Sequence, residues 1–75
     1  LARITFDPNE MGGRACIRGM RITVSLIVNL VANGKSMDEI INAYPYLELD
    51  DIRQALQYAA WLAEESVYPL ETAST

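Results

Sequence analysis

The middle of the chain is punctuated tightly enough to set its fold class. Gly34 supplies a left-handed stop to a preceding helix. Directly behind it, Ser36-Met37-Asp38-Glu39 has the form of a capping box, in which a serine hydroxyl and a glutamate carboxylate each satisfy a free backbone donor at a helix start. Pro45 disfavours helical geometry in the residue before it, so this helix opens at Met37 and must stop near Tyr44, with Ile40, Ile41 and Tyr44 turned inward. Upstream, Thr23 is a suitable N-cap for a first helix from about Val24 to Asn33. Downstream, a third helix runs from about Leu49 to Glu65, with Asp50 and Asp51 favourable at its positive end. Its expected buried stripe is Leu49, Ile52, Leu56, Ala59, Ala60 and Ala63, which leaves Tyr58 and Trp61 off the core face, where aromatics serve a lid or a protein interface.

The front of the chain reads differently. Arg3-Ile4-Thr5-Phe6-Asp7 alternates with the period of a half-buried strand, placing Ile4 and Phe6 on one face. Asp7-Pro8-Asn9 ends it, Met11-Gly12-Gly13 makes a flexible turn, and Ala15-Cys16-Ile17 and Arg21-Ile22-Thr23 are short extended stretches on either side of Gly19. A two-stranded hairpin is marginal alone in water, so this arm must lie on the helices or on a second copy. The expected architecture is mainly α: a short N-terminal β-hairpin arm (1–23) and a three-helix core (24–65) with helix-turn-helix spacing, forming one domain over 1–66. A partly disordered tail covers 67–75.

Within the first helix the only polar residues are Ser25, Asn29 and Asn33, so most of its circumference needs cover. A chain of 75 residues with 51% hydrophobic content hides only part of its surface by itself, since a domain this small buries roughly 60% of what its unfolded chain exposes. Homodimerisation is the natural remedy, with Leu26, Leu30, Tyr58 and Trp61 as interface candidates.

Charge divides along the chain. Residues 1–35 hold Arg3, Arg14, Arg18, Arg21 and Lys35 against Asp7 and Glu10, whereas the rest hold Arg53 alone against eight acids. DNA phosphates would therefore be met by the front half, while the acidic start of the third helix repels them. Arg53, Gln54 and Gln57 point outward on that helix and have side chains able to read base edges. Arg18 and Arg21 flank Gly19, either tying the arm down through carbonyls or Asp7, or presenting a guanidinium to phosphate or to an acidic protein site.

Chemistry is sparsely represented. There is no histidine, and the single Cys16 lacks an activating partner and reads as a small buried residue. Gly12-Gly13 lacks the strand, spacing and helix of a phosphate loop. The reading is therefore a non-enzyme without cofactor or metal. The absence of a signal-peptide pattern, an internal disulfide or a membrane-length apolar run sets a cytoplasmic expectation with no membrane partner.

Arg3-Ile4-Thr5-Phe6-Asp7-Pro8, the run from Met11-Gly12-Gly13 through Ile17-Arg18-Gly19-Met20-Arg21-Ile22-Thr23-Val24, then Gly34-Lys35-Ser36, Tyr44-Pro45 and Leu49-Asp50-Asp51-Ile52-Arg53-Gln54-Ala55-Leu56 together resemble a bacterial family, domain of unknown function 433. The likeness spans roughly residues 3 to 63. It departs at Ala15, Met20 and Glu48-Leu49, where that family usually has Pro, Thr and Thr-Pro; the last exchanges a good helix cap for a poor one. The resemblance extends to VapB-like antitoxins with a winged-helix-like or homeodomain-like core. It implies a homodimeric antitoxin that covers a PIN-like ribonuclease toxin and regulates its own promoter. Arg14, Arg18, Arg21, Arg53, Gln54 and Gln57 are then the candidates for touching DNA or toxin. A repressor with no toxin partner, or a structural dimerisation module, are the alternatives.

Overall fold

In a computed structural model, which describes residues 1–66, two short strands precede three helices. They are β1 (Ile4–Phe6), β2 (Ala15–Ile17), α1 (Val24–Ala32), α2 (Met37–Ala43) and α3 (Leu49–Ser66). This is the expected hairpin arm on a three-helix core; the expected tail, 67–75, lies outside the described residues.

The strands pair antiparallel with Ile4 opposite Ile17, Thr5 opposite Cys16 and Phe6 opposite Ala15. A 3₁₀ turn over Met11–Gly13 lies between them. The stretch expected at Arg21-Ile22-Thr23 is reduced to a single bridge, Cys16 with Thr23. Between β2 and that bridge the backbone reverses through Arg18 (φ +46°) and Gly19 (φ +73°), closed by Met20 N donating to Ile17 O at 2.7 Å. Two left-handed residues in succession suit the right-handed twist of the flanking chain, and glycine fills the second place without strain.

The helix punctuation behaves as its chemistry requires. Thr23 Oγ1 accepts from Leu26 N at 3.0 Å, opening α1. Gly34 leaves the helix with φ +89°. At α2, Ser36 Oγ accepts from Glu39 N while Glu39 Oε1 accepts from Ser36 N at 2.8 Å, the complete capping box. That bond from Ser36 N, with a further contribution from the Ser36 side chain, holds the Glu39 carboxyl below its ordinary range. The start of α3 departs from expectation. Glu48 makes no good cap, but Asp51 Oδ2 accepts from Glu48 N at 2.8 Å, so the acid three residues inside the helix closes its open end.

The core is Ile17, Val24, Ile27, Ile40, Leu47, Ile52 and Ala55, drawn from β2, all three helices and the turn before α3. Each fully buried isoleucine contributes about 2–3 kcal/mol relative to exposure. Cys16 is buried among them as a small apolar residue. On α3 the buried stripe is rotated from the expected one. Ile52 is buried, Leu56 and Ala59 are half-buried, Ala55 takes a central place, and Leu49, Ala60 and Ala63 are exposed. For Ala60 and Ala63 the reason is length: residues 60–64 are all exposed, so among the described elements none reaches far enough to cover that part of α3. Tyr58, expected off the core face, packs against the core instead. Phe6, expected to share a buried face with Ile4, is 59% exposed and rests edge-on against Tyr58, ring centroids 5.9 Å apart.

Candidate functional site

Two constellations stand out, one polar and one apolar, and each takes in some of the sequence candidates.

The polar one is centred on Asp51, whose side chain is completely buried. Its Oδ1 accepts from Arg3 Nη1 at 2.9 Å and from Arg18 Nε at 3.0 Å; its Oδ2 accepts from Arg18 Nη2 at 2.9 Å and from Glu48 N. Arg18 also donates to Tyr46 O at 2.8 Å, and Arg3 reaches Glu48 Oε1 at 2.6 Å. Burial pushes the Asp51 carboxyl up, but the hydrogen bonds from Arg18, Arg3 and Glu48 N outweigh it and bring it down from 3.8 to about 2. Both arginines are held above their ordinary range, Arg3 chiefly by Glu48 and Arg18 chiefly by Asp51. Among the described residues no buried side-chain nitrogen or oxygen lacks a hydrogen-bond partner, and both Asp51 oxygens are engaged, so this is a fastener between arm and α3 rather than an acid or base awaiting a substrate. The arginine at 18 therefore ties the arm down, to Asp51 and not to Asp7, whose Oδ1 instead accepts from Asn9 N two residues away.

The apolar one is an open groove of about 360 Å³ between α1 and α3, lined by Val24, Val28, Tyr58, Ala59 and Leu62, with Arg14 and Thr23 contributed by the arm. Beside it Tyr58 carries Phe6 on one side and Trp61 on the other, the latter at 6.1 Å between ring centroids. Phe6, Trp61 and Leu62 are 59%, 52% and 42% exposed. Aromatics and aliphatics left uncovered together mark an interaction face more often than a solvent face.

The remaining candidates scatter. Arg21 is 78% exposed and 3.4 Å from Glu10. Arg53 pairs with Asp50 on the surface of α3 at 3.2 Å. Gln54 is spent on the arm, its Oε1 accepting from Arg3 N at 2.9 Å, so it is not an outward base-reading side chain. Gln57 is exposed, and Leu26 and Leu30 on α1 are half-buried. Thus Arg14 and Tyr58 come together at the groove with Trp61 beside Tyr58, while Arg18 and Gln54 belong to the arm attachment and Arg53 stands apart. Sequence reasoning missed Arg3 and Asp51 as partners, and missed Val28, Ala59 and Leu62 as a lining. The spacing of Tyr58, Ala59 and Leu62 on one helical face was the available signal for the last two. Among the described residues no cluster of three or more histidine, cysteine or acidic side chains could hold a metal ion, and no helix is long and apolar enough to cross a membrane.

Comparison with known proteins bears on the whole of this arrangement. A family model described as a protein of unknown function (DUF433) matches residues 4–59, from β1 to the groove side of α3. The chain is 36% identical over 56 residues to the uncharacterized protein y4eO of Sinorhizobium fredii, a match that takes in 75% of this chain but 25% of that protein, so the chain spans about a quarter of the length of this curated relative. Among solved structures, a DUF433 member protein from Anabaena variabilis superposes with a TM-score of 0.78 at 32% identity, covering 84% of this chain and 62% of that one.

Proposed function

The chain belongs to the DUF433 family, and from that premise we propose that it is an antitoxin-like binding protein, a VapB-like member of a toxin-antitoxin pair that works by covering a PIN-like ribonuclease. The observation that carries this reading is the uncovered apolar face of Phe6, Trp61 and Leu62, gathered around the half-buried Tyr58 at the α1–α3 groove. The two constellations support binding rather than turnover: the polar groups are internally satisfied, and the apolar ones are left outside. On this reading a second copy covers Leu26 and Leu30 on α1, giving a homodimer. Arg21, exposed and held only loosely by Glu10, is one guanidinium available to the carboxylates of a nuclease site.

Promoter binding takes a lesser place in the proposal. Gln54 and Arg18 are engaged within the chain, and the exposed start of α3 carries Glu48 and Asp50, which repel phosphates.

The test is co-expression with a PIN-like ribonuclease from the same genome. A stoichiometric complex in which RNA cleavage is blocked, weakened by Arg21→Ala, is the expected result. A nuclease that neither co-purifies nor loses activity overturns the proposal, and salt-sensitive retention of promoter DNA in its place moves the chain to a repressor role.

A further inference from the structure

We infer that the α1–α3 groove receives an acidic amphipathic segment of the partner protein, its apolar side chains against Val28, Ala59 and Leu62 and a carboxylate against the Arg14 guanidinium. The inference rests on the reading of this chain as a protein-binding module and names the chemistry of the segment it takes. Charge complementarity chooses the occupant. Arg3, Arg18, Arg21 and Arg53 each have a carboxylate oxygen at 2.6 to 3.4 Å. Arg14 is exposed, lines the groove, and has no ion pair among the described residues. Among the described residues no acidic side chain shares that lining, and its other side-chain polar groups bond within the chain: Thr23 Oγ1 accepts from Leu26 N, and the exposed Asn29 donates through Nδ2 to Ser25 O and Ser25 Oγ. Among the described residues the groove is therefore an apolar trough with one positive charge that no carboxylate answers. A two-fold pairing of this face on itself would bring a second Arg14 into the interface instead of an acid, so a different chain answers it better than a second copy.

At about 360 Å³ the trough falls within the usual range of roughly 300–1,000 Å³ for binding clefts. The segment's apolar side chains supply affinity, and the carboxylate supplies orientation, with the modest strength of an ion pair near water.

The test titrates the full chain, labelled with ¹⁵N, with three helical peptides sharing one leucine-rich face and carrying Glu, Gln or Lys at its edge. Amide shifts should centre on Arg14, Val24, Val28, Ala59 and Leu62, with the Glu peptide bound about two- to fivefold tighter than the Gln peptide and the Lys peptide weakest. Arg14→Glu, an exposed change whose folding is verified by circular dichroism, should reverse that order, and Arg14→Lys should preserve it. Shifts elsewhere, an order indifferent to charge, or an order unchanged in Arg14→Glu overturns the inference. So do groove shifts that appear when the chain alone is concentrated, because a second copy then fills the site. Equal capture of the nuclease by the wild type and Arg14→Glu defeats this inference and leaves the antitoxin reading standing. Failure to capture the nuclease while the peptide order holds does the reverse.

Discussion

Replacing Asp51 with asparagine keeps the size of the side chain and removes its charge, which isolates the electrostatic part of the arm fastener. Its carboxyl lies at about 2 in the folded chain against an ordinary 3.8, and about 1.4 kcal/mol per tenfold change in proton affinity makes that about 2 kcal/mol. Breaking a fully buried pair by removing one partner costs more, about 3–5 kcal/mol. Here Arg3 and Arg18 keep 27% and 38% of their side-chain surface open, so water can take over part of their solvation and the lower figure applies. Asp51→Asn should therefore lose about 2 kcal/mol at pH 7, a fall in Tm of roughly 8–16 °C for a domain of this size. The sign with pH follows from the depressed value. The stabilisation is fully present above about pH 4 and fades as pH falls toward 2, so wild type and variant should converge across that interval. Urea unfolding followed by circular dichroism from pH 7 to pH 2 measures both quantities. A difference below about 0.5 kcal/mol at pH 7, or one that persists unchanged at pH 2, would show that Asp51 is not the fastener described here.

Arg18→Gln should lower the urea midpoint and lose most of its effect in an Asp51→Asn background, whereas Arg21→Gln, whose side chain lies mostly in solvent, should leave the midpoint where it is; a double-mutant cycle checks the coupling. Gly34→Ala has space for its methyl group but must hold a φ of +89°, so calorimetry should register a loss of about 1 kcal/mol from backbone strain alone. Ile27→Ala, at the fully buried centre of α1, should cost about 3 kcal/mol in chemical denaturation.

What the sequence revealed was what neighbouring residues decide among themselves. Thr23, Gly34, Ser36 with Glu39, and Pro45 act on backbone groups within four positions, so helix limits could be read almost to the residue. The phase of the α3 stripe could not, because Leu49, Ala60 and Ala63 fit a helical period as well as Ala55 does, and only the finite length of α1 and the arm decides which are covered. Asp50 and Asp51 are indistinguishable locally, both being acids in a first helical turn. One is exposed and pairs with Arg53 along the helix; the other is buried because Arg3 and Arg18, 48 and 33 positions away, come to it. The candidate groove was half-legible, with Tyr58 and Trp61 recognised as interface aromatics and Arg14 as a contact residue, but the meeting of Arg14 with Tyr58 depends on how the arm lies across α1 and α3.

Asp51 stabilises the start of its own helix and also grips the far end of the chain, which bears on the order of folding events. Closing a loop of nearly fifty residues is entropically slow and unrewarded until its last contact forms, while α1 and α2 assemble from contacts a few residues apart. The arm should dock after the transition state, once the helices have condensed. Chevron plots would then show Asp51→Asn acting chiefly on the unfolding limb, so that this one carboxylate governs how long the native molecule survives rather than how quickly it is reached.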